Sequence, residues 1–190
     1  MEAFFTSTAV VALAEIGDKT MLLAILLAAR FREPLTIALG ILLATLANHF
    51  IAAMIGAQAA AWFDSEIFRY LVAAGFVAMG LWTLIPDTFE DDDKPRSRGG
   101  AFLTTLIAFF LVEIGDKTQV ATIALGASFH NAIAVTAGTT LGMMMANAPV
   151  LWLGDKLAGR LPLAKIRAAA CVLFVVIGLW LAAQTAGWLG

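Results

Sequence analysis

Two identical hexapeptides of charged and polar residues stand inside long apolar stretches of this chain. The sequence Glu-Ile-Gly-Asp-Lys-Thr occupies residues 15–20 and returns unchanged at residues 113–118. In hydrocarbon, a single Asp or Lys at the centre of a helix costs about 2.5–3.5 kcal/mol. Two matched copies therefore need a functional reason, and ionisable residues within membrane spans typically mark ion or proton sites. The candidate carboxylates are those of Glu15, Asp18, Glu113 and Asp116.

The chemistry of these motifs favours a divalent metal ion. Carboxylate oxygens are the ligands that Ca²⁺, Mg²⁺ and Mn²⁺ prefer, whereas Zn²⁺ and Cu⁺ favour Cys and His. The four carboxylates and two lysines, Lys19 and Lys117, sum to a charge of −2 when all are ionised, which one divalent cation neutralises. We therefore predict one site in which the four acids bind the metal and the lysines adjust its charge. Neutral side chains that could support this site are Thr20, Thr118, Gln119, Asn48 and Asn147.

The spacing within each motif sets the expected local geometry. On a continuous helix, residues three apart share a face, so Glu15 and Asp18 would point to the same side. The glycine between them, Gly17 or its copy Gly115, has no side chain. It permits either close helix approach or a local break that exposes carbonyl groups, and the sequence leaves both open.

The rest of the chain has the composition of a membrane protein, which must position these motifs. Of 190 residues, 61% are apolar and 14% are charged, whereas soluble domains are about one-half apolar and one-quarter charged. The formal net charge of −2 argues against a nucleic-acid partner, which would call for a clustered basic face. The single cysteine, Cys171, cannot form an internal disulfide and is expected to pack in its apolar run. The expected environment is the lipid bilayer, and no resident cofactor is expected.

Six stretches are long enough to cross a bilayer, which takes about 20 mostly apolar residues in a helix. The predicted fold class is therefore an all-α integral membrane protein with six transmembrane helices. Pro34 ends the first span, because the residue before a proline avoids helical geometry. The predicted spans cover about 4–29, 35–61, 67–85, 101–127, 132–154 and 164–186.

A shift of 98 residues superimposes the two halves of the chain without a gap. Gly40 then falls on Gly138, and the tripeptide Gly-Leu-Trp at 80–82 falls on its copy at 178–180. Three spans per repeat is an odd number, so the second repeat must enter the membrane from the opposite side. Inverted repeats of this kind place the site of a transporter at the midplane between them. The predicted units are a first three-helix repeat at 1–86, a cytoplasmic linker at 87–99 and a second, inverted repeat at 100–190.

The distribution of basic residues predicts the orientation of the chain. Nine Lys and Arg residues lie in the loops at 30–34, 86–100 and 155–167, whereas only Arg69 lies on the opposite predicted face. Cytoplasmic loops carry the excess of Lys and Arg, so these three loops are expected in the cytoplasm and both termini outside.

The paired motifs resemble those of a family of small cation exchangers. Two E-x-G-D-(K/R)-(T/S) hexapeptides, in the first and fourth spans, are found in the family that includes the eukaryotic Golgi manganese/calcium transporter and bacterial manganese exporters. The resemblance covers nearly the whole chain. It implies export of Mn²⁺ or Ca²⁺ from the cytoplasm in exchange for H⁺ or Na⁺, for this chain across a prokaryotic inner membrane. By this resemblance the cation ligands would be Glu15, Asp18, Glu113 and Asp116, with Thr20 and Thr118 assisting.

Several residues keep two interpretations at this stage. Many members of the family follow each hexapeptide with Gln; Gln119 fits and Met21 departs, so fully symmetric ligand sets are not expected. His49 could carry protons or could be a hydrogen-bonded residue at a helix interface. The Met143–Met145 run could offer sulfur ligands or fill packing gaps. The acidic string at 90–93 could capture metal or be a solvated loop.

Four competing functions also follow from the same features. An exporter of small organic cations or amino acids could use a similar plan, although the compact acidic site argues against a large substrate. A passive divalent cation channel would need the same ligands. An intramembrane aspartyl protease would need two aspartates that share a proton, which the lysine after each aspartate disfavours. A purely structural salt-bridge network would leave four acids against two lysines uncompensated. The sequence leaves self-association into a homo-oligomer open.

Overall fold

The regular structure of the chain is helical throughout the residues described. A computed structural model describes residues 1–86, 99–153 and 161–188. Within these ranges it contains eight α-helices. They are α1 (Glu2–Glu15), α2 (Lys19–Phe31), α3 (Pro34–Trp62), α4 (Glu66–Thr83), α5 (Ala101–Glu113), α6 (Lys117–Phe129), α7 (Ala132–Leu153) and α8 (Leu163–Thr185).

Four of these helices are long and apolar enough to cross a membrane. They are α3, α4, α7 and α8, and each begins and ends within two residues of a predicted span. The prediction of an all-α membrane protein is confirmed at this level. The structure does not describe most of the linker predicted at 87–99, with its acidic string, residue 154 at the end of a predicted span, or residues 155–160 of the last basic loop.

The other two predicted spans, 4–29 and 101–127, are each divided into two shorter helices. α1 ends at Glu15 and α2 begins at Lys19, while α5 ends at Glu113 and α6 begins at Lys117. Both interruptions fall inside the hexapeptides. Of the two possibilities that the sequence left open at the glycine, a local break is the one that the structure contains.

Each long helix of one half packs against the broken helices of the other half. α3 packs on α5 and α6, and α7 packs on α1 and α2, while α4 and α8 pack on each other. The two halves of the chain are therefore interleaved rather than side by side. This arrangement brings both interruptions to the centre of the described structure.

Glycines allow close approach between the long helices and the broken ones. A Cβ added at Gly40 of α3 would lie 3.1 Å from the Phe102 carbonyl oxygen on α5. A Cβ added at Gly138 of α7 would lie 2.4 Å from the Phe4 carbonyl oxygen on α1. Both residues of the first contact move by 98 positions to give the second. The two interfaces are thus equivalent.

Further glycine contacts give the relative direction of these helices. Later along α3, Gly56 approaches the Ile123 carbonyl oxygen on α6. Later along α7, Gly142 approaches the Thr8 carbonyl oxygen on α1. In both interfaces a later residue of the long helix meets a later residue of the broken span. α3 therefore runs parallel to α5, and α7 runs parallel to α1.

The interface between α4 and α8 has the opposite sense. A Cβ at Gly80 would lie 2.9 Å from the Cys171 carbonyl oxygen, and one at Gly178 would lie 2.7 Å from the Ala73 carbonyl oxygen. These two contacts are also related by 98 positions. A later residue of α4 meets an earlier residue of α8, so the two helices are antiparallel.

Apolar packing fills the interior and apolar side chains also cover the outside. Phe76 of α4 and Phe174 of α8 are fully buried, with ring centroids 6.3 Å apart. By contrast, large apolar side chains such as Leu39, Ile55 and Leu179 are more than half exposed. Apolar exposure along long helices is what a bilayer environment requires, because lipid rather than water meets these faces.

Candidate cation site

The interruption in each hexapeptide has a clear local cause. Gly17 has φ +88° and Gly115 has φ +79°, a region that glycine adopts at little cost and that a right-handed helix cannot contain. The preceding isoleucine, Ile16 or Ile114, is extended and ends the first helix of each pair. The glycine thus turns the chain before the second helix begins.

This turn gives the acidic residues of each motif separate roles. Glu15 and Glu113 are the last residues of α1 and α5. Asp18 and Asp116 are extended and take the N-cap positions of α2 and α6, where aspartate is strongly preferred. The predicted shared helical face of Glu15 and Asp18 is therefore wrong, because no helix runs between them.

Three of the four predicted carboxylates form a compact group. Glu15, Asp18 and Asp116 each place one oxygen so that all three lie within 4.8 Å of one another. The three side chains are at most 4% exposed. Because both hexapeptides contribute, the group lies where the two halves meet. Its donors are all oxygens, which suits Mn²⁺, Ca²⁺ or Mg²⁺ better than Zn²⁺ or Cu⁺.

Glu113, the fourth predicted ligand, lies beside this group. Its carboxylate accepts a hydrogen bond of 2.6 Å from Thr45 Oγ1 and one of 2.9 Å from Asn48 Nδ2. Asn48 also donates to the Phe110 carbonyl at 2.9 Å. Both partners come from α3, which holds Glu113 in place. Glu113 is not among the three carboxylates whose oxygens lie within 4.8 Å of one another.

Glu15 is held by residues from both halves of the chain. Thr20 Oγ1 donates to Glu15 Oε2 at 2.5 Å, across the break in its own motif. Asn147 Nδ2 of α7 lies 3.3 Å from the same oxygen and 2.9 Å from Met143 Sδ. Thr118 of the second motif is fully buried and lies two residues after Asp116. Four of the predicted neutral residues, Thr20, Thr118, Asn48 and Asn147, are therefore near the acids.

The two lysines occupy different surroundings despite identical neighbours in sequence. Lys19 Nζ lies 3.7 Å from Asp116 Oδ1, so it forms an ion pair with the other motif. Lys117 Nζ donates to the Ile85 carbonyl at 2.8 Å and lies 5.8 Å from the centroid of the Trp82 ring. With all groups ionised, Glu15, Asp18, Asp116 and Lys19 sum to −2, which one divalent cation neutralises.

The remaining sequence candidates have other surroundings or no hydrogen-bond partner among the described residues. Gln119 Oε1 accepts from the Gly115 backbone N–H at 2.7 Å, which stabilises the second break. Met21, at the equivalent position of the first half, packs in an apolar cluster. His49 is fully buried, and neither ring nitrogen has a hydrogen-bond partner among the described residues. Met143 is fully buried beside Asn147, whereas Met145 is 56% exposed, so the three methionines do not converge on the acids together.

One residue that contacts a predicted ligand was missing from the sequence prediction. Thr45 donates to Glu113 and is fully buried, yet it stands in a long apolar stretch with no motif around it. The available signal was its position three residues before Asn48, which places both side chains on one face of α3.

Comparison with known proteins agrees with the chemistry of the site. The chain matches the family described as "Divalent cation/proton antiporter GDT1" over residues 3–91 and 101–188. A Vibrio cholerae protein named "Putative manganese exporter" is 45% identical over 180 residues, which cover 94% of this chain and 90% of the relative. A GDT1-like protein of Synechocystis is 28% identical over 204 residues, covering 95% of this chain and 98% of the relative.

More distant relatives come from plants. GDT1-like protein 5 of Arabidopsis thaliana is 26% identical over 218 residues, covering 94% of both chains. No solved structure matches the chain. The family resemblance of the paired hexapeptides is confirmed by a match that extends over both halves. The chain belongs to the divalent cation/proton antiporter GDT1 family.

Proposed function

We propose that this protein exports Mn²⁺ from the cytoplasm in exchange for protons, with Ca²⁺ as the alternative substrate. The observation that carries the proposal is the group of three buried carboxylates, Glu15, Asp18 and Asp116, which both hexapeptides build. Buried acids without full compensation are costly, so their presence indicates a site for a cation. Family membership supports transport, in line with the expectation that the protein is not an enzyme.

In this proposal the three grouped carboxylates bind the metal directly. Glu113 contributes its charge and enters the coordination shell when α3 releases it. Each break receives the carbonyl end of one helix, α1 or α5, and the N-terminal end of the next, which Asp18 or Asp116 caps, so the carboxylates rather than the helix ends provide the negative charge for a cation. Neutral support comes from Thr20, Thr118, Asn48 and Asn147, while Lys19 and Lys117 adjust the charge.

The choice of Mn²⁺ rests on the ligands and on the relatives. An all-oxygen set disfavours Zn²⁺ and Cu⁺, and the manganese named for the Vibrio cholerae relative, at 45% identity, favours Mn²⁺ over Ca²⁺. Met143 Sδ approaches Asn147 rather than the carboxylates, so sulfur is not the basis of the choice.

The proposed architecture has six spans in two inverted repeats, residues 1–86 and 100–190, joined by the linker at 87–99. The spans are α1–α2, α3, α4, α5–α6, α7 and α8. Alternating directions along such a chain would make span 1 parallel to span 5, span 2 parallel to span 4, and span 3 antiparallel to span 6. The helix contacts described above have these three senses. The family match also begins at residues 3 and 101, which are 98 positions apart.

The proposed orientation places both termini outside a bacterial inner membrane. It follows from the excess of Lys and Arg in three loops. Glu33 lies in the loop between α2 and α3, and Glu66 is the first residue of α4, after the loop that follows α3. Both residues are exposed, and the two loops lie on opposite faces in the proposed orientation. In a Cys171→Ala background, Glu33→Cys should react with an impermeant reagent only from the cytoplasm, and Glu66→Cys only from outside. The reverse pattern would overturn the orientation.

Proton coupling follows from the charge of the site. A bare site of charge −2 is costly to occlude in a low-dielectric interior. The return step therefore needs two positive charges, most simply two protons on the carboxylates. Na⁺ is the alternative counter-ion.

Reconstituted vesicles test the proposed function directly. An inward proton gradient should accelerate Mn²⁺ efflux, and Mn²⁺ added on the opposite side should drive protons out in the reverse direction. Flux that follows sodium and ignores a proton gradient would assign Na⁺ as the coupling ion. Flux that ignores both gradients and saturates weakly would make the protein a channel and refute the antiporter.

A further inference from the structure

The two motif lysines have different partners in this conformation. Lys19 lies in the acidic group, 3.7 Å from Asp116 Oδ1. Lys117 is held at the end of α4, by the Ile85 carbonyl at 2.8 Å and under the Trp82 ring at 5.8 Å. An ammonium is attracted both by an indole face and by the carbonyl end of a helix. The end of α4 is therefore a docking site for a lysine.

The other half of the chain contains the counterpart of the tryptophan, whereas the counterpart of Ile85 is Ala183, which lies within α8 and whose carbonyl accepts from the Trp188 backbone N–H at 3.0 Å. The 98-residue shift places Trp82 on Trp180, within the repeated Gly-Leu-Trp tripeptide near the end of α8. The same shift places Lys117 on Lys19. Trp180 is 57% exposed and Trp82 is 39% exposed, so the Trp180 ring has the more open surface. The two halves thus provide two acidic partners, two lysines and two tryptophans.

Resting on the proposed inverted-repeat antiporter, we propose that Lys19 and Lys117 alternate as internal counter-ions of the acidic group. In this conformation Lys19 pairs with Asp116 while Lys117 is docked at Trp82. In the opposite conformation Lys117 pairs with Asp18, the counterpart of Asp116, while Lys19 is docked at Trp180. Each lysine is thus a positioning residue for transport.

This exchange gives each lysine a physical task in the cycle. Glu15, Asp18 and Asp116 carry a charge of −3 when ionised, and one tethered ammonium lowers it to −2. An incoming divalent cation must compete with that ammonium for Asp116 in one conformation and for Asp18 in the other. Cation–π docking of the second lysine stabilises the conformation in which it forms. The tryptophans therefore set the balance between the two conformations.

A transport-free measurement tests the role of the tryptophans. Ile114 beside the second break is 55% exposed and Ile16 beside the first is partly buried. In the opposite conformation, Ile16 would be the more exposed of the two and Ile114 the more buried. In detergent, with Cys171→Ala, Trp82→Leu should raise thiol labelling of Ile16→Cys and lower that of Ile114→Cys by about threefold. Trp180→Leu should do the reverse. Trp62→Leu, at an exposed helix end, is the matched control and should change neither.

A second measurement tests the lysines in vesicles of known orientation. Lys19→Gln should lower the KM for Mn²⁺ about two- to fivefold on one side of the membrane only, and Lys117→Gln should lower it on the other side only. The exposed Lys165→Gln should leave both values unchanged. Equal effects of the two lysine variants on the same side, or labelling that moves in the same direction in both tryptophan variants, would overturn the exchange. Absence of proton-coupled Mn²⁺ flux in the unaltered protein would instead contradict the proposed function, and the labelling result would still decide the exchange.

Discussion

The two hexapeptides are identical in sequence, yet their surroundings differ. At the first break, a Cβ on Gly17 would lie 2.7 Å from Leu163 Cδ2, so α8 covers it. At the second break, a Cβ on Gly115 would meet nothing within 4 Å among the described residues. Lys19 is 23% exposed and pairs with Asp116, whereas Lys117 is 4% exposed and docks at the end of α4.

This comparison separates what a short sequence determines from what packing determines. Both copies form the same turn, with a positive φ at glycine and an aspartate at the N-cap of the next helix. Which side chains pack over each turn depends on the positions of the helices from the other half. A difference in exposure between two equivalent breaks is what alternating access requires, since only one side of the site opens at a time.

The largest expected effect comes from removing either aspartate. Asp18→Asn and Asp116→Asn should each lower Mn²⁺ flux about 100-fold or more, because each takes a charge from a buried group at a cost of about 3 kcal/mol or more. Flux in vesicles, divided by the amount of protein in the membrane, measures this. Asp64→Asn, at an exposed residue away from the site, is the control. Near-normal flux in both site variants would refute the shared site.

The two glutamates offer a sharper contrast. Glu15→Gln removes a member of the 4.8 Å group and should abolish Mn²⁺ binding. Glu113 is bonded to Thr45 and Asn48, so Glu113→Gln should weaken binding by about tenfold or less, the range expected for a disturbed hydrogen bond. Equilibrium titration of Mn²⁺ by electron paramagnetic resonance distinguishes the two. Equal losses would mean that all four carboxylates bind the metal in this conformation.

The two glycines should differ in stability. Alanine at either break is strained by about 1–2 kcal/mol because φ is positive. Gly17→Ala also meets Leu163, which should add about 1–3 kcal/mol of overpacking. Denaturant unfolding in detergent should therefore show a larger loss for Gly17→Ala than for Gly115→Ala. Adding Leu163→Ala should restore part of the first loss, and Gly75→Ala, in open space on α4, should cost nothing. A larger loss of stability for Gly115→Ala than for Gly17→Ala would contradict the observed packing of Leu163 on Gly17.

The smallest expected effect concerns the threonine that holds Glu113. Thr45→Val removes its hydrogen bond of 2.6 Å and should cost about 1–2 kcal/mol of unfolding free energy. Thr122→Val is the matched control, because its hydroxyl donates only to the Thr118 carbonyl one turn earlier in its own helix. In a Thr45→Val background, we expect the loss of Mn²⁺ binding caused by Glu113→Gln to come closer to the loss caused by Glu15→Gln. Equal effects of the two valine variants would mean that α3 does not hold Glu113.

Sequence reasoning predicted the long helices and selected the acids of which three form the compact group, for a physical reason. Apolar runs with clear boundaries such as Pro34 define a span by themselves, and charges in hydrocarbon mark a site by their cost. The break at Gly17 was only one of two interpretations, because a single glycine is tolerated within a helix at about 1 kcal/mol. The positive φ and the extended Asp18 that decide it are properties of the folded chain.

The parts that sequence could not supply depend on contacts between distant elements. Thr45 reaches Glu113 because α3 packs on α5, which no local pattern encodes. The different partners of Lys19 and Lys117 are beyond any sequence argument, since the two hexapeptides are the same. Sequence alone therefore assigned both lysines one role, and the structure separates them.

The stoichiometry of Mn²⁺ binding tests the central claim most directly. The claim is that the two hexapeptides build one site, with Asp18 from the first and Asp116 from the second. Titration of the purified protein, followed by electron paramagnetic resonance of free Mn²⁺, should show one bound ion per chain. Asp18→Asn and Asp116→Asn should each abolish that binding. Two ions per chain, with one retained in each variant, would show two independent sites and contradict the account.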